Sequence, residues 1–159
     1  GISSDFGKAF AKAQDAAKNI LPECNGKVFV SLANLDKSFG PQIASDLVEL
    51  GFDVVATGGT YNIISEAGIA CEKVDKVSEG RPNITDALMN EEIAMAINTS
   101  DGSDGTSKDD GMIIRRTVLA MNVPYFTTVA GAIASIEAIK AASDTQSMSP
   151  KSIQEFLAD

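Results

Sequence analysis

Val-Val-Ala-Thr-Gly-Gly-Thr-Tyr-Asn, residues 54–62, joins an apolar β-branched strand to a helix through a Thr-Gly-Gly-Thr turn. Two adjacent glycines let the backbone approach an anion closely and adopt positive φ where that is required. The first N–H groups of a helix beginning near Thr60 lack intrahelical partners, so they can bind an anion. With the hydroxyls of Thr57 and Thr60 on either side, the stretch predicts a phosphate-binding turn.

Working outward from this turn, short apolar strands alternate with helical patterns along the chain. We predict strands at residues 27–32, 52–56, 69–74, 93–97 and 123–126. Apolar strands separated by helices are typical of a parallel sheet that is covered on both faces. The expected fold is therefore a three-layer α/β domain with a five-stranded, parallel, doubly wound sheet.

The helices are predicted from apolar spacing and capping residues. Asp36 or Ser38 is expected to cap the helix after the first strand, and a later helix is expected over residues 112–121. In the last long helix we expect one buried face, formed by Val129, Ile133, Ile136 and Ile139. A stripe before Pro22 predicts an amino-terminal helix, with Phe6, Phe10, Ala13, Ala17 and Ile20 on one side.

Composition excludes several classes of function. The net charge of −9 and the pI of about 4.4 argue against binding to nucleic acid or to an anionic membrane. Histidine is absent, so imidazole-based acid–base catalysis and serine triads are excluded. No apolar run is long enough to span a bilayer, and we expect a cytoplasmic location. Cys24 and Cys71 are expected to be reduced thiols, without a metal site.

Polar residues follow each predicted strand, and the carboxyl ends of parallel strands meet at one edge of the sheet. Two lysines, a glycine-rich turn, an amide and several hydroxyls at that edge suit a phosphate attached to a polar body. These strand-end residues are Asp36, Lys37, Thr57, Gly58, Gly59, Thr60, Lys76, Asn98, Thr99, Ser100, Thr127 and Thr128.

Several motifs together identify a family. They are Leu-Asp-Lys at 35–37, Ala-Thr-Gly-Gly-Thr at 56–60, Glu-Gly-Arg-Pro-Asn-Ile at 79–84, Ile-Asn-Thr at 97–99, Ile-Arg-Arg at 114–116 and Tyr-Phe-Thr-Thr at 125–128. From about Gly26 to Ala142 the chain resembles the carboxyl-terminal, methylglyoxal-synthase-like domain of the carbamoyl-phosphate synthase large subunit. The resemblance implies a linker helix from the synthetase core over residues 1–24 and an effector-binding domain over residues 25–159.

The resemblance implies regulation rather than catalysis in this domain. Family members bind UMP as an inhibitor or IMP as an activator, and the matching pocket positions are Lys37, Thr57, Gly58, Gly59, Thr60, Lys76, Asn98, Thr99 and Ser100. Tyr125 and Thr127 match positions of a separate ornithine site, half of which belongs to the synthetase core. No cofactor is expected here; ATP, Mg²⁺ and K⁺ belong to the synthetase domains. The implied partners are the rest of the large subunit and the small glutaminase subunit, in arginine and pyrimidine biosynthesis.

One segment departs from the family pattern. Residues 101–111 carry four aspartates where related bacterial domains often have arginines, and we expect a mobile surface loop there. If that loop lies near the anion site, its charge could weaken phosphate binding or shift nucleotide preference. The acylglutamate-binding version found in animals is disfavoured, because Lys37, Lys76 and the Thr-Gly-Gly-Thr turn are intact.

Three other functions share parts of this pattern. Methylglyoxal synthase has the same fold but requires a histidine and a catalytic aspartate in a Gly-Asp-Pro-like context. The cyclohydrolase domain of bifunctional purine biosynthesis has a similar phosphate turn but continues into a Thr-Leu-His-Pro-like motif, which has no counterpart here. A plain interaction module with a vestigial pocket is also compatible with the sequence.

Overall fold

The computed structural model describes residues 1–100, 105–143 and 152–158. Its sheet has five strands in the order β3-β2-β1-β4-β5, and every pair is parallel. The strands are β1 (Lys27–Ser31), β2 (Asp53–Thr57), β3 (Glu72–Val74), β4 (Ile93–Asn98) and β5 (Tyr125–Phe126). Helices pack on both faces of this sheet, so the predicted three-layer α/β fold is confirmed.

Seven α-helices are described, with two 3-10 turns between them. The helices are α1 (Phe6–Ala16), α2 (Gly40–Glu49), α3 (Gly58–Glu66), α4 (Ile84–Met89), α5 (Gly105–Ala120), α6 (Val129–Ala142) and α7 (Ile153–Ala158). The 3-10 turns cover Lys37–Phe39 and Val77–Glu79.

Strand β1 lies at the centre of the sheet and shows why the strands are apolar throughout. Successive side chains of a strand point to opposite faces. Val28 and Val30 pack in the core that α2, α3 and α6 cover, whereas Phe29 packs in the core beneath α4 and α5. All three side chains are fully buried, because helices cover both faces of the strand.

Helix α1 buries a different face from the predicted one. Phe6 and Ile20 are exposed, and the helix ends at Ala16. Its buried residues are instead Gly7 and Ala11, on the side that packs against α6. The contact is so close that a Cβ on Gly7 would lie 2.7 Å from the backbone oxygen of Glu137. Small residues therefore form the closest part of this interface, while Phe10 is the large residue of the predicted stripe that packs against the core.

The start of α2 also differs from the prediction. Neither Asp36 nor Ser38 caps it, because a 3-10 turn intervenes and Phe39 occupies the N-cap position without a side-chain hydrogen bond. Pro41 lies in the first turn of α2, where its missing N–H leaves one fewer donor to satisfy.

Two further boundaries differ from the prediction, and so does the buried face of α6. Strand β3 is shorter than predicted, since only Glu72–Val74 pair with β2 at the edge of the sheet. Helix α5 begins at Gly105, so most of the expected surface loop is helical, and residues 101–104 lie outside the described residues. In α6, Ile136 and Ile139 are buried as predicted, but Ile133 is 38% exposed and the small Ala132 faces the core instead.

Candidate functional site

The candidate site lies where the sheet changes its direction of winding. From β1 the chain continues to β2 and β3 on one side, and then crosses to β4 and β5 on the other. The carboxyl ends of β1 and β4 are therefore adjacent, with Ser31 paired to Asn98. A cavity of about 120 Å³ opens there, at the position where doubly wound sheets bind ligands.

The cavity brings together most of the residues that the sequence assigned to a pocket. Its walls include Lys37, Thr57, Gly59, Thr60, Lys76, Asn98, Thr99 and Ser100. Gly58 does not line it. The remaining wall residues are Ser31, Leu32, Ala33, Asn34, Asp110, Gly111 and Ile114.

Helix α3 presents its amino terminus to this cavity. It begins at Gly58, two residues earlier than predicted, and the Thr57 side chain makes no capping bond. The first backbone N–H groups therefore have neither an intrahelical partner nor the Thr57 hydroxyl as an acceptor. Neither Gly58 nor Gly59 has positive φ. Gly59 is needed for close approach, since a Cβ there would lie 2.7 Å from the Lys37 ammonium nitrogen.

The threonine hydroxyls hold the walls of the cavity together. Thr60 Oγ1 accepts a 2.9 Å hydrogen bond from the backbone N–H of Leu32, and Thr99 Oγ1 accepts one of 2.9 Å from Ala33 N–H. The Thr57 and Ser31 hydroxyls lie 2.9 Å apart and share a hydrogen bond. These bonds fix the segment after β1 to α3 and to the residue that follows β4, and β1 itself to the end of β2. The sequence predicted ligand donors at Thr57 and Thr60 but not this structural use.

Two lysines supply the positive charge of the cavity. The Lys37 ammonium donates a 2.6 Å hydrogen bond to the side-chain oxygen Oδ1 of Asn34, and Lys76 lies at the start of the second 3-10 turn. Both are half-buried. In the part of the chain that the structure describes, ion pairs join Lys27 to Glu72 and Arg81 to Asp86, and none involves Lys37 or Lys76. Their charges are therefore available to an anion.

Asp110 is a wall residue that the sequence did not single out. It lies on α5, it is 7% exposed, and its carboxylate accepts a 2.6 Å hydrogen bond from the Ser78 hydroxyl. The sequence offers a weak signal, because the Asp-Asp pair at 109–110 directly precedes Gly111 and an apolar run. A buried carboxylate accepts hydrogen bonds from hydroxyl groups. The cavity thus combines two cationic groups with one acceptor suited to a polyol.

Tyr125 and Thr127, assigned to a second site, occupy different surroundings. Thr127 is exposed and does not line the cavity. Tyr125 also lies outside the wall, but its hydroxyl accepts a 3.1 Å hydrogen bond from the Asn98 side-chain amide.

Other chemistries find less support in the described ranges. They contain no group of three carboxylate or cysteine residues arranged to hold a metal ion. Burial raises the pKa of the Cys71 thiol to about 11, so this residue is protonated at neutral pH and is a poor nucleophile. None of the described helices combines the length and apolar character required to cross a bilayer.

The chain is similar to the large chains of carbamoyl phosphate synthases. The chain is 46% identical to the carbamoyl phosphate synthase large chain of Campylobacter jejuni over 99% of its own length. It is 44% identical to the corresponding large chain of a Nostoc species over 98% of its length. These matches span only 14% of the length of either relative.

A third relative locates the match within the longer protein. The chain is 44% identical, over 88% of its length and 26% of the relative, to the carboxyl-terminal section of the carbamoyl phosphate synthase large chain of Aquifex aeolicus. The family model of the MGS-like domain matches residues 41–127, which include β2, β4 and most of the cavity wall. The chain therefore belongs to the MGS-like domain family, in the form found in carbamoyl phosphate synthase large chains.

Proposed function

We propose that this chain is the regulatory domain of a carbamoyl-phosphate synthase large subunit, and that its cavity binds a nucleotide monophosphate such as UMP or IMP. The observation that carries the proposal is the convergence on one cavity of the amino terminus of α3 and two lysines that form no ion pair within the described residues. These groups favour an anion.

The parts of a nucleotide fit different walls of the cavity. The phosphate would lie between Lys37, Lys76 and the N–H groups at Gly59 and Thr60, where positive charge and free donors coincide. The ribose hydroxyls would donate to Asp110, and this contact would add to those that the phosphate group makes. Asp110 would thereby favour a nucleotide over a bare phosphate, although its charge opposes the phosphate itself.

In this proposal the domain binds an effector and does not catalyse a reaction. The reaction would occur elsewhere in a glutamine-hydrolysing, ATP-dependent ligase, together with the small glutaminase subunit and with ATP, Mg²⁺ and K⁺ in the synthetase domains. Ornithine would bind between Tyr125, Thr127 and the synthetase core. An effector would change activity only by binding two states of the whole enzyme with different affinity.

Isothermal titration calorimetry of this chain with UMP and with IMP tests the proposal. We expect saturable binding of at least one nucleotide, and about tenfold to a hundredfold weaker binding by Lys76→Ala, because a charge-assisted hydrogen bond is lost. Lys140→Ala is the matched control, since Lys140 is an exposed lysine on α6. Absence of binding heat with both nucleotides at millimolar concentration, or equal loss in the two lysine variants, would refute the assignment.

A further inference from the structure

Asn98 is the wall residue that connects the cavity to the edge of the sheet. It ends β4 and is 8% exposed, and its Nδ2 donates to the Tyr125 hydroxyl at 3.1 Å. The register explains this contact. Ala96 pairs with Tyr125 across the two strands, and Asn98 lies two residues beyond Ala96, on the same face of the sheet.

This hydrogen bond restricts a side chain that would otherwise rotate. The terminal torsion of an asparagine has a broad energy minimum, so the amide of an unsupported Asn98 could turn in the cavity. An asparagine amide has two N–H donors and one carbonyl acceptor. The bond to Tyr125 uses one donor and fixes the plane of the amide, which leaves the second N–H and the carbonyl oxygen with defined directions.

We propose that Tyr125 is a positioning residue of the effector cavity, because it holds the Asn98 amide in place. We also propose that a ligand in contact with Asn98 changes the environment of Tyr125 on β5 through this hydrogen bond. The inference rests on the proposed function, because it requires an anionic ligand in the cavity. It also joins two sites that the sequence kept separate.

Tyr125→Phe removes the acceptor and retains the ring, so it tests the positioning role. Calorimetry with UMP should show about threefold to tenfold weaker binding, the effect of losing one ordinary hydrogen bond. Tyr61→Phe is the control, since Tyr61 is the second of the two tyrosines and lies outside the cavity wall. Unchanged affinity in Tyr125→Phe, or an equal loss in Tyr61→Phe, would overturn the proposal.

Tyrosine fluorescence tests whether a ligand in the cavity affects Tyr125 through Asn98, in a protein that keeps Tyr125. The chain contains no tryptophan, so in Tyr61→Phe the emission comes from Tyr125 alone. Ribose 5-phosphate is the probe, because it carries a phosphate and hydroxyls but does not absorb in the tyrosine band. We expect its titration to change the emission, with the same midpoint that calorimetry gives.

The outcomes of the two measurements separate the two proposals. Binding heat from ribose 5-phosphate without a change in emission would overturn transmission through Tyr125 and leave the effector cavity intact. Absence of heat with ribose 5-phosphate, UMP and IMP would overturn both the cavity assignment and the inference that rests on it.

Discussion

Gly59 has no Cβ, and the Lys37 ammonium occupies the space that this leaves. In Gly59→Ala the added methyl group would displace the end of a flexible side chain and no backbone atom. We therefore expect the free energy of unfolding to be retained, because alanine is a better helix former than glycine. The affinity for UMP should fall about tenfold, since Lys37 is moved from its place beside the amino terminus of α3.

Gly58→Ala is the matched control for that prediction. A Cβ on Gly58 would have its nearest neighbour, Lys73 Cε, at 3.9 Å, which is ordinary contact. The same chemical change one residue earlier should therefore leave UMP affinity within about twofold of the original, below the energy of a single hydrogen bond. Calorimetry and urea unfolding of both variants check the two expectations; equal affinity losses would contradict the role given to Lys37.

At the scale of single elements, the start of α4 is sensitive to acid. Asp86 accepts hydrogen bonds from the Arg81 guanidinium and, at 2.9 Å, from the backbone N–H of Asn83. These bonds lower the pKa of the Asp86 carboxyl below its ordinary value of 3.8, with Arg81 as the larger cause. The carboxylate thus stabilises the folded state above about pH 4, and this contribution disappears as pH falls through the lowered pKa.

We expect Asp86→Asn to have a lower free energy of unfolding than the original chain at neutral pH. The difference between the two free energies should become smaller below about pH 4. Urea unfolding across the acid range measures it. Glu66→Gln, which changes an exposed carboxylate on α3, is the control for removing a carboxylate elsewhere. A constant difference between Asp86→Asn and the original chain down to pH 2 would contradict the role of the Arg81 contact.

The α1–α6 contact is a second element whose strength depends on one residue. Because a Cβ on Gly7 would lie 2.7 Å from Glu137 oxygen and 3.0 Å from Ala141 Cβ, Gly7→Ala must push the helices apart. We expect a loss of about 1 to 3 kcal/mol in the free energy of unfolding, typical of overpacking, and faster amide hydrogen exchange in α1. UMP affinity should be unchanged, since no residue of α1 lines the cavity.

Asp15→Ala serves as the control for this contact. Asp15 is an exposed residue of the same helix, so its replacement should leave the amide hydrogen exchange rates at the α1–α6 interface unchanged. If Gly7→Ala leaves both the free energy of unfolding and the amide hydrogen exchange of α1 unchanged, that result would contradict the close packing of α1 on α6.

On the scale of the whole molecule, binding in the cavity should stabilise the entire fold. The cavity wall comes from the ends of β1, β2 and β4 and from α3 and α5, so unfolding destroys the site. A ligand at one hundred times its Kd stabilises the folded state by about 2.7 kcal/mol. For a domain of this size we expect Tm to rise by about 5 to 10 °C with UMP.

Uridine is the control ligand for this thermal shift, because it lacks the phosphate. We expect uridine to raise Tm by less than about 1 °C at the same concentration, since the charge-assisted contacts are absent. Equal shifts with uridine and UMP would show that the lysines and the amino terminus of α3 do not bind the phosphate.

Much of the fold follows from local patterns. The alternation of apolar strands with helices predicted the parallel sheet, and the Thr-Gly-Gly-Thr turn placed a helix start beside a strand end. Both depend on residues close together in the sequence, where spacing and the geometry of glycine are sufficient. Boundaries such as the start of α5 were less predictable, since residues 105–111 include two glycines and two aspartates, which have low helix propensity.

The residues of the candidate site also fall into two groups: those that the sequence predicted and those that only the tertiary structure placed there. Strand ends alone gave Lys37, Thr60, Lys76 and Asn98 as neighbours, because parallel strands share an edge. Only the tertiary structure decided that β1 and β4 pair, which places Asn98 beside Ser31 and close to Tyr125. It also decided that α5 turns Asp110 into the cavity. Strand order and helix placement depend on contacts between residues far apart in the chain, and no local pattern encodes them.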